Sequence, residues 1–171
     1  MRRLLFPAMA LMLSGLLSGC GLHPLYEGGL HSAGAKGLAG VEVAPIPGKA
    51  GWLVRNALNE RLAPMSGGTP RYKLTVSLDD KIDGLGVRSD NTVTRERRTL
   101  RARFQLHDNN QPADAPALVD EVVGSDAGLD VTSSEYATVA AEDTALERLS
   151  EVIADRIVAR IAIDAEHRAG K

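Results

Sequence analysis

The sequence predicts an α+β domain in which two helices pack on one face of a four-stranded, mostly antiparallel sheet, in the order β-α-β-β-β-α. Apolar and polar residues alternate over residues 72–82 and again over 92–106, which is typical of half-buried strands. Apolar residues recur at three- and four-residue steps over residues 50–62 and in the last forty residues, which is typical of amphipathic helices. One shared core is the economical assembly, so the other face of the sheet is expected to be polar.

The first strand and the first helix are short. Val41 to Ala44 is a β-type run that Pro45 and Pro47 end. The helix is predicted from Ala50 to Leu62, and Pro64 with the glycine pair at 67–68 ends it. The apolar positions that would face the core are Leu53 or Val54, Ala57, Leu58 and Leu62.

Three strands follow along the chain. In the first, Tyr72 to Ile82, the even-numbered residues are mostly apolar, and Gly84 and Gly86 predict a turn after it. The second runs from about Thr92 to Leu106 and the third from Leu118 to Val123, whose apolar residues on both sides favour a central position. The core face of the second strand comprises Leu100, Ala102, Phe104 and Leu106.

A long helix closes the domain. Thr132 and Glu135 have the spacing of a capping box, and the helix is expected to run to about Ile163. Its acidic residues recur every four positions, and we interpret them as a solvated face whose repulsion Arg148 and Arg156 partly relieve. The inner stripe is predicted to be Val139, Leu146, Leu149, Ile153 and Ile157, and the acidic stripe is Asp143, Glu147, Glu151 and Asp155.

The N-terminus has the pattern of a secretory signal. Two arginines precede an uncharged run from Leu4 to Leu17, which is shorter than the roughly 20 apolar residues that a membrane span needs. The string Leu17-Ser18-Gly19-Cys20 resembles a bacterial lipobox, in which the cysteine receives a diacylglyceryl group and becomes the mature first residue. We therefore expect a signal peptide over residues 1–19, a lipidated Cys20 and a glycine-rich tether over 20–40. Gly21 is not the aspartate that resembles an inner-membrane retention signal, so the outer membrane is favoured.

Composition limits the rest of the chain to one domain. Cys20 is the only cysteine of 171 residues, so the domain expected over residues 41–165, with a tail over 166–171, relies on its core alone. Without the signal, 18 basic residues stand against 22 acidic ones, which does not suggest a nucleic-acid partner. Aromatic residues make up only 4% of the chain, which disfavours a base-stacking surface.

The sequence contains no motif for catalysis. None of the four histidines lies at a predicted strand end or helix start that would orient it beside a nucleophile. Asp79, Asp80 and Asp83 lie close together but match no calcium loop. We predict that the protein is not an enzyme and has neither a metal site nor a cofactor.

Arginine is concentrated in one segment. Residues 88–103 contain six arginines and two acidic residues. If the segment is a strand, the odd positions form a row at steps of about 6.6 Å, and no acidic residue of that strand lies between them. Arginine binds phosphate through two oxygens at once, so the row is a candidate site for an anionic partner, although a solvated face is the alternative. The candidates are Arg95, Arg97, Arg101 and Arg103, whereas Arg98 breaks the alternation and is expected at the sheet margin.

Several segments resemble the lipopolysaccharide-assembly lipoprotein family LptE, in its alphaproteobacterial form. The start, residues 19–26 (GCGLHPLY), is similar to the Gly-Cys-Gly-Phe-x-Pro-Leu-Tyr start of that branch. Residues 52–62 resemble its first helix. The arginine-rich strand leading into Phe104-Gln105-Leu106 and the string Ser134-Glu135-Tyr136-Ala137 before an acidic, Ala-rich helix resemble it as well.

The resemblance implies a function and its partners. Proteins of this family plug a large outer-membrane β-barrel, LptD, which inserts lipopolysaccharide into the outer leaflet; they help that barrel assemble and bind lipopolysaccharide themselves. It implies a lipid-anchored protein on the periplasmic face of the outer membrane. The alternative is a lipoprotein substrate-binding or accessory subunit of a lipid-transport ABC system, which would have an inner-membrane permease as its partner.

The lipid anchor can be tested directly. Cys20→Ala is expected to block both lipid attachment and signal cleavage, because the thiol is the acceptor, leaving an uncut precursor. Gel mobility and membrane fractionation report the result. Normal processing together with outer-membrane fractionation of the variant would contradict the anchor.

Overall fold

The computed structural model describes residues 33–66, 68–87, 93–112 and 114–170. The signal sequence, the lipobox with Cys20, and Arg88 lie outside these ranges. The described chain forms three α-helices and four strands: α1 (Ala33–Leu38), β1 (Val41–Val43), α2 (Gly48–Leu62), β2 (Tyr72–Val87), β3 (Val93–Asp108), β4 (Val119–Asp130) and α3 (Glu135–Ala169), with a 3-10 turn at Ala63–Met65.

The sheet is four-stranded and mixed, in the order β1-β2-β3-β4. β1 pairs with β2 in parallel, and the other two pairs are antiparallel. This confirms the predicted α+β class and element order, with α1 as an addition. The placement of β4 was wrong, because β4 is an edge strand; its apolar residue Val122 lies on the uncovered face and is 64% exposed.

The core lies between one face of the sheet and α2 and α3. Leu100, Ala102, Phe104 and Leu106 are all fully buried, as their alternation predicts. α2 contributes Val54 and Leu58, and α3 contributes a longer buried stripe. That stripe contains the predicted Leu146, Leu149, Ile153 and Ile157, but Val139 is half exposed.

The strands β2 and β4 are longer than predicted. Gly84 and Gly86 lie within β2, and Gly124 and Gly128 lie within β4. Glycine is depleted in strands, so Gly84 and Gly86 predicted a turn, and the last strand was predicted to end at Val123. Pairing with β3 keeps both glycine-containing stretches extended, because every backbone group that bonds to β3 fixes the conformation of its residue.

The start of α3 differs from the predicted capping box. Ser134 is the N-cap, and its hydroxyl accepts a hydrogen bond from the backbone N–H of Ala137 at 3.3 Å. Thr132 instead donates its hydroxyl to the carbonyl oxygen of Ser134 at 3.1 Å. At the other end, α3 extends through the segment expected to be a tail, as far as Ala169.

Helix α1 lies within the segment interpreted as a flexible tether. Its residues Ala35 and Leu38 are 5% and 1% exposed. A Cβ atom on Gly37 would be 2.1 Å from the Cβ of Ala165, so only glycine allows this approach of α1 to α3. The last part of the expected tether is therefore packed on the domain.

The two-faced nature of β3 gives a test of the fold. Leu100→Asp is expected to lower the free energy of unfolding by more than about 3 kcal/mol, because it puts an unpaired charge in the core. The neighbouring Thr99→Asp, whose side chain points to the opposite face, should cost less than about 1 kcal/mol. Urea unfolding followed by circular dichroism measures both. Similar midpoints for the two variants would contradict the assignment of faces, and a lower midpoint for Thr99→Asp would show that it is reversed.

Candidate functional site

The face of the sheet that points away from α2 and α3, called here the open face, carries the predicted arginines. Strand register places odd residues of β2 and β3 beside even residues of β4 on this face. It comprises three columns: Lys73, Thr75, Ser77, Asp79, Lys81, Asp83 and Leu85 from β2; Arg95, Arg97, Thr99, Arg101, Arg103, Gln105 and His107 from β3; and Asp120, Val122, Gly124, Asp126, Gly128 and Asp130 from β4.

Three of the four arginines are paired with aspartates of β4. Arg95 lies 3.2 Å from Asp130, and Arg97 lies 3.7 Å from Asp126. Arg103 donates two hydrogen bonds to Asp120, at 2.9 and 2.8 Å. The arginine row is therefore not an isolated strip of positive charge, as the strand alone suggested, because the neighbouring strand contributes the acids.

Arg101 differs from the other three. Its neighbour in β4 is Gly124, which has no side chain, and no ion pair of Arg101 is found in the described ranges. A Cβ atom on Gly124 would be 3.1 Å from Cγ of Arg101, so the arginine stem lies against the bare backbone of β4. Arg101 lines a shallow surface depression together with Thr99, Val122, Gly124, Ser125 and Asp126. Its guanidinium is thus available for an anion in a way that those of Arg95, Arg97 and Arg103 are not.

The Arg103–Asp120 pair is the most tightly bonded on the open face. The guanidinium of Arg103 lowers the pKa of Asp120 to about 2, and Gln105 adds a hydrogen bond at 2.9 Å in the same direction. The same contact raises the pKa of Arg103. Both groups are solvent-accessible, so an incoming phosphate could replace the carboxylate without entering the core.

Arg98 lies on the core face and not at the sheet margin. β3 is paired on both sides at this residue, and Arg98 is only 9% exposed. Its guanidinium donates to both carboxylate oxygens of Asp80, at 2.9 and 2.6 Å, and to the carbonyl oxygen of Glu142 in α3 at 2.8 Å. The bonds to Asp80 raise the pKa of Arg98. The residue that broke the alternation joins the sheet to the long helix.

The acidic stripe of α3 is also partly structural. Asp143 lies 2.7 Å from Lys49 Nζ, and Asp155 accepts two hydrogen bonds from Arg61, at 2.5 and 3.1 Å. The first and last acids of the stripe therefore contact α2. Both carboxylates remain solvent-exposed, at 48% and 66%, so the stripe is the solvated face that the sequence predicts, with two contacts to α2 that only the tertiary structure reveals.

In the part of the chain that the structure describes, no helix is long and apolar enough to cross a membrane. No group of three or more histidine, cysteine or acidic side chains there has the arrangement of a metal site.

Known structures share this architecture. A lipoprotein from Caulobacter crescentus CB15 is similar with a TM-score of 0.62 and 25% identity, over 80% of this chain and 96% of its own. A minor lipoprotein from Acinetobacter baumannii is similar with a TM-score of 0.58 and 13% identity, over 72% of this chain and 90% of its own. The rare lipoprotein B from Shewanella oneidensis is similar with a TM-score of 0.57 and 12% identity, over 77% of this chain and 98% of its own. No curated protein sequence matched the chain.

The fold and the open face define a class of small α+β domains in which helices cover one face of the sheet and leave the other face uncovered. The three solved structures named above, which share this fold, are lipoproteins. The family model of LptE, described as lipopolysaccharide-assembly, matches residues 38–161. The chain belongs to the LptE family, which confirms the resemblance seen in the sequence. Members of this family are outer-membrane-associated lipoproteins without catalytic activity.

The Arg103–Asp120 contact makes a prediction about pH. Asp120 is expected to titrate with a midpoint of about 2, compared with 3.8 for a free aspartate. A depressed pKa in the folded state means that the contact stabilises the fold above about pH 4, and that this contribution is lost as the pH falls towards 2. Carboxyl-carbon NMR measures the midpoint. Arg103→Gln should return it towards 3.8, and an unchanged midpoint in that variant would contradict the assigned cause.

Proposed function

We propose that the protein is an outer-membrane lipoprotein, anchored through Cys20 on the periplasmic face, that assists assembly of the LptD barrel, acts as its plug and binds lipopolysaccharide on the open face. Membership of the LptE family supports the partner. The arginines of the open face support the ligand, because the phosphates of lipid A and the core are the anions that guanidinium groups bind best. The observation that carries the proposal is the unpaired, exposed Arg101 beside Gly124.

The ion pairs predict which arginine of the open face binds a phosphate most readily. A phosphate that binds Arg95, Arg97 or Arg103 has to displace an aspartate, so part of the binding free energy is offset by the lost pair. Arg101 forms no ion pair in the described ranges, because Asp79 opposite it in β2 is paired with Lys81, so a phosphate that binds Arg101 breaks no ion pair of this arginine. Arg101 is therefore proposed as the first contact, and the paired arginines contribute where further phosphates of the same ligand reach them.

The alternative function, as a subunit of a lipid-transport ABC system, is not favoured by the family match. The two functions differ in partner. A pull-down of the lipidated chain from detergent-solubilised membranes, with mass spectrometry, distinguishes an outer-membrane barrel from an inner-membrane permease.

The role of Arg101 can be measured by lipopolysaccharide binding to the full chain in detergent. Arg101→Gln is expected to weaken binding by roughly tenfold, because a charge-assisted hydrogen bond contributes about 1.5 kcal/mol. Arg95→Gln should weaken it less, since Asp130 already neutralises that arginine. Binding by the wild-type chain should fall as salt rises.

Arg148→Gln is the matched control. Arg148 is also exposed, has no ion pair within the described ranges and lies on α3, on the other side of the sheet. It should change binding by less than about twofold. Equal losses in Arg101→Gln and Arg148→Gln would mean that binding depends only on net charge and that the open face is ordinary solvated surface.

A further inference from the structure

The edge strand β4 carries an apolar side chain that its own domain leaves largely uncovered. Val122 lies on the open face, beside Arg103 in the sheet register, and is 64% exposed. No other large aliphatic side chain that the structure describes is as exposed. A single apolar residue at a surface is ordinary, whereas a continuous apolar patch marks a binding surface. The neighbours of Val122 show that it belongs to such a patch.

Two depressions meet at Val122. One is the depression beside Arg101 on the open face, with a volume of about 350 Å³. The other, called here the edge groove, has a volume of about 390 Å³ and lies between Val122 and Val123 of β4 and Ala159 and Ile163 of α3. Val122, Val123 and Gly124 line both depressions. The surface is therefore continuous from Arg101, around the edge of the sheet, to the helix layer.

The part of the edge groove that α3 contributes is also apolar. Ala159 and Ile163 are four residues apart, so they lie on the same face of the helix. Ile163 is 37% exposed, although it is a large apolar side chain. A hydrocarbon chain that covers these side chains releases water from them, which is the driving force for apolar binding.

Two arginines of α3 form the rim of the edge groove. Arg156 donates a hydrogen bond to the carbonyl oxygen of Gly124, and Nε of Arg160 lies 3.6 Å from a carboxylate oxygen of Glu121. Because β4 holds both guanidinium groups, the methylene stems of the two arginines lie along the groove. The bond from Arg156 also satisfies a backbone carbonyl at the sheet edge, which a hydrocarbon ligand could not do.

The acidic side chains of β4 are neutralised by arginines. Each of the four lies 2.8–3.7 Å from its partner, and the pairs are Asp120–Arg103, Glu121–Arg160, Asp126–Arg97 and Asp130–Arg95. Arg101, by contrast, forms no ion pair in the described ranges. The surface therefore has a free cation at one end and an apolar groove at the other, which complements a lipid with an anionic head group.

We propose that the edge groove binds an acyl chain of lipid A while a phosphate of the same molecule lies on Arg101. The inference rests on the proposed function, in which lipopolysaccharide is the ligand of the open face. Arg101 and the residues of β4 that line the groove are separated by one strand spacing, about 4.8 Å. Because the phosphate and the chain belong to one molecule, binding of either raises the effective concentration of the other.

Photo-crosslinking of the full, lipidated chain tests the location of the acyl chain. A photoreactive amino acid replaces Val122, Ile163 or, as a control, Val139, which is exposed on α3 and does not line the groove. The chains are held in phosphatidylcholine vesicles that contain lipid A, and adducts are identified by mass spectrometry. The two groove positions are expected to give several times more lipid A adduct than position 139.

Two ligands separate the contribution of the chain from that of the phosphate. Lipid A and its fully deacylated form carry the same phosphates, but only lipid A has acyl chains. The double variant Val122→Thr and Ile163→Thr, in detergent, is expected to bind lipid A roughly tenfold more weakly, because each methyl group removed from apolar contact weakens binding by up to about fourfold. Its binding of the deacylated form should stay within about twofold of wild type.

Two further variants complete the comparison. Arg101→Gln should weaken binding of both ligands, because it removes the phosphate contact. Val139→Thr, the matched control, should change binding of neither ligand, since this valine lies outside the groove. Thermal unfolding followed by circular dichroism shows that each variant folds.

The proposal is wrong if position 139 gives as much lipid A adduct as position 122, or if the adducts at 122 contain phosphatidylcholine or the acyl chains on Cys20 in place of lipid A. It is also wrong if the double variant binds both ligands like the wild type or loses both equally. A loss in Arg101→Gln would then still leave the open face as the phosphate site. Normal binding by Arg101→Gln would contradict the proposed function as well, so the two failures are distinguishable.

Discussion

The strand β3 is the element on which the rest of the structure depends, because it is paired on both sides and its two faces have opposite chemistry. Its even residues from Leu100 to Leu106 have no solvent exposure and form the centre of the core beneath α3. Its odd residues hold the arginines of the open face. A shift of one residue in register would exchange the two faces, so burial of Phe104 and exposure of Arg103 are enforced by the same constraint.

Charged side chains form several of the contacts between the elements that surround β3. Lys49–Asp143 and Arg61–Asp155 have the same sequence separation of 94 residues, so α2 and α3 run parallel, with the two contacts about 18 Å apart along the helices. Parallel neighbouring helices have aligned dipoles, which repel weakly, and ion pairs between the helices offset this. Arg98 completes the set by joining β2, β3 and α3 at one point.

The open face has nearly balanced charge, so the proposed anion site is not simply a row of positive charges. Arg95, Arg97 and Arg103 are held in extended positions by aspartates of β4. Such pairs are weak at an exposed surface, so phosphate groups can replace the carboxylates at small cost. In the proposed function, a nearly neutral face limits adhesion to other anions, while Arg101 leaves one position free for a phosphate.

Sequence alone determined the fold class, the core face of β3 and the set of arginines opposite to it, because the periodicity of a strand is local and Leu100, Ala102 and Phe104 show it directly. It also predicted the family, from short strings along the chain. It did not determine the ends of β2 and β4, where pairing with β3 outweighs the preference of Gly84 and Gly124 for turns. Tertiary structure alone decided the partners of Arg98, Arg103 and Asp155, because the partner of a charged side chain lies across strands or helices and depends on register, which no local pattern specifies.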